Sequence, residues 1–209
     1  ADGAAADGKA AAGGAASAGG AAAPGGRVIG VDGAEDVLAK ARELAGDAVE
    51  FVHADLHHGM APLRTVVPDG ADVIWASASV HHLGDQQAAV TELAGLLRPG
   101  GRLALAEGGL NPRYLPRDLG IGAPGIEGRL DAAQDAWFNR MRERLPGSVP
   151  MAYGWTEALR RAGLAHVTTR TWLIEVPAPL PPGRLAAVLD RFEHRSGRLH
   201  EIGLISDAD

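Results

Sequence analysis

Short apolar runs alternate with helix-like segments between residues 27 and 107, and this alternation restricts the fold more than any other feature of the 209-residue chain. Arg27-Val28-Ile29-Gly30-Val31-Asp32 is an apolar run ending in an acid, the pattern of a buried parallel strand. A helix is predicted from about Ala34 to Ala45. Val37, Leu38, Ala41, Leu44 and Ala45 share a face, Glu35 and Asp36 occupy the first turn, and Gly46 is the stop. Val49-Glu50-Phe51-Val52 reads as the next strand, closed by His53-Ala54-Asp55-Leu56, and Asp72-Val73-Ile74-Trp75-Ala76 as the third. Ser77 to Gly84 is a loop, and Asp85 is placed to cap a helix whose Ala89, Leu93, Leu96 and Leu97 share a face. Arg98-Pro99-Gly100-Gly101 is predicted to end that helix, with Gly in the left-handed position, before a fourth strand over Arg102 to Ala106. Such alternation implies an α/β fold with a parallel sheet and right-handed crossovers.

Beyond Glu107 the pattern changes. Residues 108–130 are rich in Gly, Pro and Arg and read as a long excursion. Asp131 is then predicted to cap a helix carrying Trp137, Phe138, Met141 and Leu145 on one stripe, broken at Pro146-Gly147. A short helix is predicted from Thr156 to Arg161 with Gly163 as its stop, and a long Thr-rich fifth strand from Val167 to Val176. Pro177 to Pro182 reads as a stiff linker into a last helix near Arg184 to His194.

Residues 1–26 are almost nothing but Ala and Gly, with no Val, Ile, Leu or aromatic side chain. Each glycine of the doublets at 13–14, 19–20 and 25–26 weakens a helix by about 1 kcal/mol relative to Ala. The segment is expected to be a low-complexity linker, and the opening Ala1 fits a processed or cut-down chain. The whole chain suits one domain by size. A net charge of −6 argues against nucleic acid or an anionic membrane as the main partner. Without Cys there is no disulfide framework or thiolate nucleophile, which fits a cytoplasmic protein. No stretch approaches the roughly 18 to 20 apolar residues of a spanning helix.

In open α/β sheets ligands sit at the carboxyl ends of the strands. Asp32 lies at such an end and is suited either to a ribose diol or to a helix cap. Asp55 ends the next strand, suited to an adenine amino group or to a turn. In order and at matching intervals follow Ala54-Asp55-Leu56, Ala76-Ser77-Ala78-Ser79-Val80-His81-His82-Leu83 and Leu96-Leu97-Arg98-Pro99-Gly100-Gly101-Arg102-Leu103. This combination resembles the class I S-adenosylmethionine-dependent methyltransferases, especially the bacterial small-molecule type related to quinone-biosynthesis enzymes. The resemblance is firm from Arg27 to Glu107 and looser from Tyr153 to Val176. It implies a Rossmann-like, mostly parallel sheet with helices on both faces over a domain at 27–209. It implies further that Asp32 and Gly33 meet the ribose, that Ala54, Asp55 and Leu56 surround adenine, and that Ala76, Ser77 and Ala78 line the methionine end. S-adenosyl-L-methionine is then the cofactor and a small molecule the acceptor, with 108–150 as a substrate-covering insertion.

One departure stands out. The family's opening strand and Gly-x-Gly-type loop have no match before Arg27, and its closing hairpin strand is not evident. The chain therefore reads as a methyltransferase cut or altered at both ends, with a non-catalytic remnant or interaction module as the rival reading. A nicotinamide dehydrogenase would need Gly-x-Gly-x-x-Gly after a strand about 20 residues before Asp32, and none is there. Methyl transfer from a sulfonium depends mostly on alignment, and a base helps when the acceptor must lose a proton. His81 and His82 are the nearest candidates, against a plain packing role. No metal is expected: His53, His57, His58, His81 and His82 match no familiar zinc spacing. Tyr114, Trp137, Phe138, Tyr153 and Trp155 are candidates to wall an apolar acceptor, or to close the core.

Overall fold

The computed structural model describes residues 26–57, 59–109 and 111–206. The low-complexity reading of the N-terminal segment, the missing opening strand and loop, and His58 fall wholly or almost wholly outside the described residues. The chain divides into two compact units, one ending at Ala54 and the other beginning at Asp55, and each is described by itself.

In the first unit β1 (Ile29–Asp32) pairs in parallel with β2 (Glu50–His53), Ile29 opposite Glu50 and Asp32 opposite His53. Helix α1 (Glu35–Ala45) makes the crossover between them. Its buried stripe is narrower than expected. Leu38 is buried and Ala41 and Ala45 partly so, whereas Val37 and Leu44 are exposed. Positions 38, 41 and 45 lie one above the other on a 3.6-residue helix, while 37 and 44 stand to one side.

In the second unit β3 (Ala71–Ser77) pairs in parallel with β4 (Leu97–Ala106), and α3 (Gln86–Gly95) crosses between them. A short helix α2 (Ala61–Val66) precedes β3. Asp85 caps α3 as expected, its Oδ1 accepting from the Ala88 N–H at 2.8 Å. The end of α3 differs from expectation. The helix stops at Gly95, because the Leu96 carbonyl accepts from the Ala71 N–H at 2.8 Å and Leu97 already stands opposite Ala71 in the ladder. Arg98-Pro99-Gly100-Gly101 is therefore an irregularity inside β4. A Cβ on Gly101 would lie 2.9 Å from the carbonyl oxygens of Ala71 and Arg98, so this close approach needs glycine.

The core of this unit lies on one face of β3–β4. Ile74, Ala76, Leu103 and Leu105 pack toward Ala89, Val90, Leu93 and Leu96, with Met60 and Val80 closing the cluster. Val73 and Trp75, pointing the other way, are exposed.

Three more described helices follow, two long and one short. Helix α4 (Ile126–Arg144) begins five residues before Asp131, which is not its cap. Asp131 is instead buried mid-helix between Arg195 at 2.6 Å and Arg113 at 2.6 Å. Burial raises the carboxyl's pKa, but hydrogen bonds from the two guanidiniums, together with their charges, outweigh it and hold it below the usual range. Helix α5 (Trp155–Arg161) forms where expected and seats Trp155 against the core, with Glu157 paired to Arg161 at 3.0 Å on its outer face. Residues 167–176 are not a strand. Among the described residues no backbone pairs with them as a strand, and Trp172, Leu173 and Ile174 are 75%, 88% and 84% exposed. Helix α6 (Pro182–Glu201) is longer than predicted and packs on α4 through Leu199 and Phe192 against Leu130, Ala133 and Trp137.

Candidate active site

In the first unit, the apolar run of β1 delivers Asp32 to the carboxyl end of its strand. Its Oδ1 accepts from the Ala34 N–H at 2.8 Å, a local turn contact directly before α1; the N-cap itself is Ala34, so Asp32 is not the helix cap. The Gly33 carbonyl meets His53 Nε2 at 3.0 Å. The buried Ala54 donates its N–H to the Asp32 carbonyl at 3.0 Å.

In the second unit, Asp55 makes a turn: its Oδ1 accepts from the His57 N–H at 2.9 Å and meets His57 Nδ1 at 2.6 Å. Leu56 is partly buried and packs against the core. Ala76 also faces the core, whereas Ser77 ends β3 exposed. Ala78 adopts a positive φ of 48°, uncommon for a residue with a Cβ, and donates its N–H to the Ala106 carbonyl at 3.0 Å. Such strain collects where a chain is held for a purpose.

That turn sets up a polar cluster around Glu107. Ser79 and Val80 donate their backbone N–H groups to Glu107 Oε1 at 3.0 and 2.7 Å, and His81 Nδ1 meets Glu107 Oε2 at 2.5 Å. The Glu107 side chain is 1% exposed. Burial by itself pushes its pKa up. The His81 hydrogen bond, the Ser79 N–H, the charge of His81 and the Val80 N–H together hold it below the ordinary value, so it is a carboxylate at neutral pH. A carboxylate only accepts, so His81 carries its proton on Nδ1 when neutral and keeps Nε2 as a lone pair. His82 stacks beside it, ring centroids 4.1 Å apart. Its pKa is lowered, first by burial and then by the neighbouring His81, with His57 and Arg142 acting the same way against Glu107.

Helix α4 borders this pair. Phe138 lies 5.5 Å from His81 and 6.4 Å from His82, centroid to centroid. The other aromatic candidates lie elsewhere. Trp137 faces α6 under the Arg198 guanidinium, Tyr114 packs on Phe192, Trp155 belongs to the core, and Tyr153 donates its hydroxyl to Gln87 at 2.9 Å. Glu107 and Arg142 were not anticipated as site residues. Glu107 had a readable signal, an acid directly after an apolar strand like Asp32 and Asp55. Arg142, about 60 residues from the loop it meets, had none.

Residues 9–105 match a family described as a methyltransferase domain, a span that begins within the Ala/Gly-rich segment. Among characterised proteins, the chain is similar to a 27-O-demethylrifamycin SV methyltransferase of Amycolatopsis mediterranei (strain S699). The two are 35% identical over 86 residues, 38% of this chain and 29% of that relative. The match thus spans under a third of the relative's length. No described helix is long and apolar enough to cross a membrane. Parallel strand pairs crossed by helices, the family match over residues 9–105 and this relative together support a class I S-adenosylmethionine-dependent methyltransferase domain.

Proposed function

We propose that the chain transfers a methyl group from S-adenosyl-L-methionine to a hydroxyl of a small-molecule acceptor in the cytoplasm, with His81 as general base. The observation that carries this reading is the His81–Glu107 pair. A buried carboxylate on Nδ1 orients the ring and stabilises the imidazolium that forms when Nε2 takes a proton. A base of this kind is useful for an acceptor that must lose a proton, and the relative's name specifies an O-demethylated compound as its acceptor.

Asp32 fits the cofactor's ribose, since the Ala34 N–H fixes the carboxylate at the strand's end. Gly33, Ala54, Asp55, Ser77 and Ala78 are the remaining proposed cofactor residues. Leu56 and Ala76, whose side chains pack toward the core of the second unit, belong to the same proposed set. When bound, the cofactor supplies an electrophilic methyl on a sulfonium whose leaving thioether needs no proton. The chain's own work is to orient the acceptor, keep water away and accept its proton at His81 Nε2. His82, held neutral by burial, and Phe138 supply an apolar side to the base. Residues 108–150, which include α4, are the proposed substrate cover.

The test is a methyl-transfer assay with labelled cofactor and 27-O-demethylrifamycin SV among a panel of hydroxylated acceptors. His81→Asn is expected to lower kcat about 100-fold or more, the usual scale of general-base catalysis, with cofactor affinity kept. Equal turnover by wild type and His81→Asn across pH 6 to 9 would remove His81 from the mechanism.

A further inference from the structure

We propose that Arg142 is a positioning residue of this site, fastening α4 to the loop that presents both imidazoles. The inference rests on reading His81 as the base. Arg142 Nη1 donates to the His81 carbonyl at 2.7 Å and to the Leu83 carbonyl at 3.1 Å, and Nη2 to the Gly84 carbonyl at 3.0 Å. A guanidinium is a planar, preorganised fork, so one side chain sets the relative placement of three carbonyls. The loop is thereby held from two sides with opposite chemistry. Glu107, at the end of β4, accepts from its N–H groups, and Arg142, from α4, donates to its carbonyls.

The same helix brings more to the contact. Phe138 is one turn before Arg142 and lies against both imidazoles, so the two side chains share a face. Just past α4, the Val149 N–H donates to the Gly84 carbonyl at 3.1 Å. A Cβ on Gly84 would stand 2.3 Å from the Pro146 oxygen, so the loop and the end of α4 touch backbone to backbone. The charged and titratable groups around His82 are His81, Glu107, His57 and Arg142. Arg142 therefore acts by geometry on the loop that carries both imidazoles, and by charge on His82.

The test is proton and nitrogen NMR of the imidazoles through a pH titration of wild type, Arg142→Met and Arg142→Lys. In Arg142→Met, loss of the cation is expected to raise the His82 midpoint. The His81 and His82 signals, set apart by the Phe138 ring, are expected to converge toward those of exposed histidines. Arg142→Lys keeps the charge and loses the fork, so its His82 midpoint stays near wild type while the ring signals still move. Should Arg142→Met not fold, the ring signals of Arg142→Lys decide. Imidazole signals and midpoints unchanged in the folded variants would overturn the proposal. In active protein, kcat is expected to fall about tenfold with cofactor affinity unchanged, the size of losing an oriented contact. Wild type that fails to bind the cofactor overturns the methyltransferase reading instead. That failure is recognisable, because the imidazole titration still reports on Arg142.

Discussion

Glu107 shows how one side chain ties stability to the site. Its depressed pKa means that its contribution is full above the unfolded value near 4.5 and is lost as pH falls through the lower folded value. His82 acts in a higher window. Its folded pKa lies below 6.5, so the unfolded chain binds the proton first and stability starts to fall as pH drops below about 6.5. Denaturant unfolding at pH 7.5, 5.5 and 4 should show both steps. Glu107→Gln is expected to cost about 1–3 kcal/mol at pH 7.5, the range for disturbing buried charge-assisted hydrogen bonds, and to shrink the lower step. His82→Gln should abolish the upper one. An unchanged pH profile in either variant contradicts the corresponding assignment. At this scale the sequence was partly legible. Asp32 and Asp55 each carry a local signature, an acid closing an apolar run, and each was found making the local turn contact that such an acid also permits.

Among the elements, β1 to β4, α1 and α3 followed from local periodicity and Asp85 from the chemistry of caps, whereas the short helix α2 was not anticipated. The failures have a common physical origin. Asp131 looks like a cap because short acids favour that position, but its partners Arg113 and Arg195 come from distant segments. Residues 167–176 have strand-forming side chains, yet propensity for a strand is realised only when a neighbouring backbone accepts its hydrogen bonds. The contact between the end of α4 and the loop at Gly84 was likewise invisible. It predicts that Gly84→Ala, which must push the Pro146 oxygen away, costs about 1–3 kcal/mol, as overpacking does. Asp85→Ala, one residue on, loses only its cap, about 1 kcal/mol. Thermal unfolding of both variants checks the order; a smaller effect at Gly84 would show that the two backbones separate freely.

For the molecule as a whole, the fold class was legible because alternating strands and helices leave few arrangements open, and the family resemblance followed from motifs in a fixed order. Its activity is a matter of cofactor binding. Calorimetric titration of this chain with S-adenosyl-L-methionine tests that most directly. We expect saturable heat with a Kd on the order of micromolar, or −8 kcal/mol, and a loss of roughly tenfold or more in Asp32→Ala, the scale of forfeiting charge-assisted hydrogen bonds to a diol. No heat at millimolar cofactor, or an affinity indifferent to Asp32→Ala, would contradict the account.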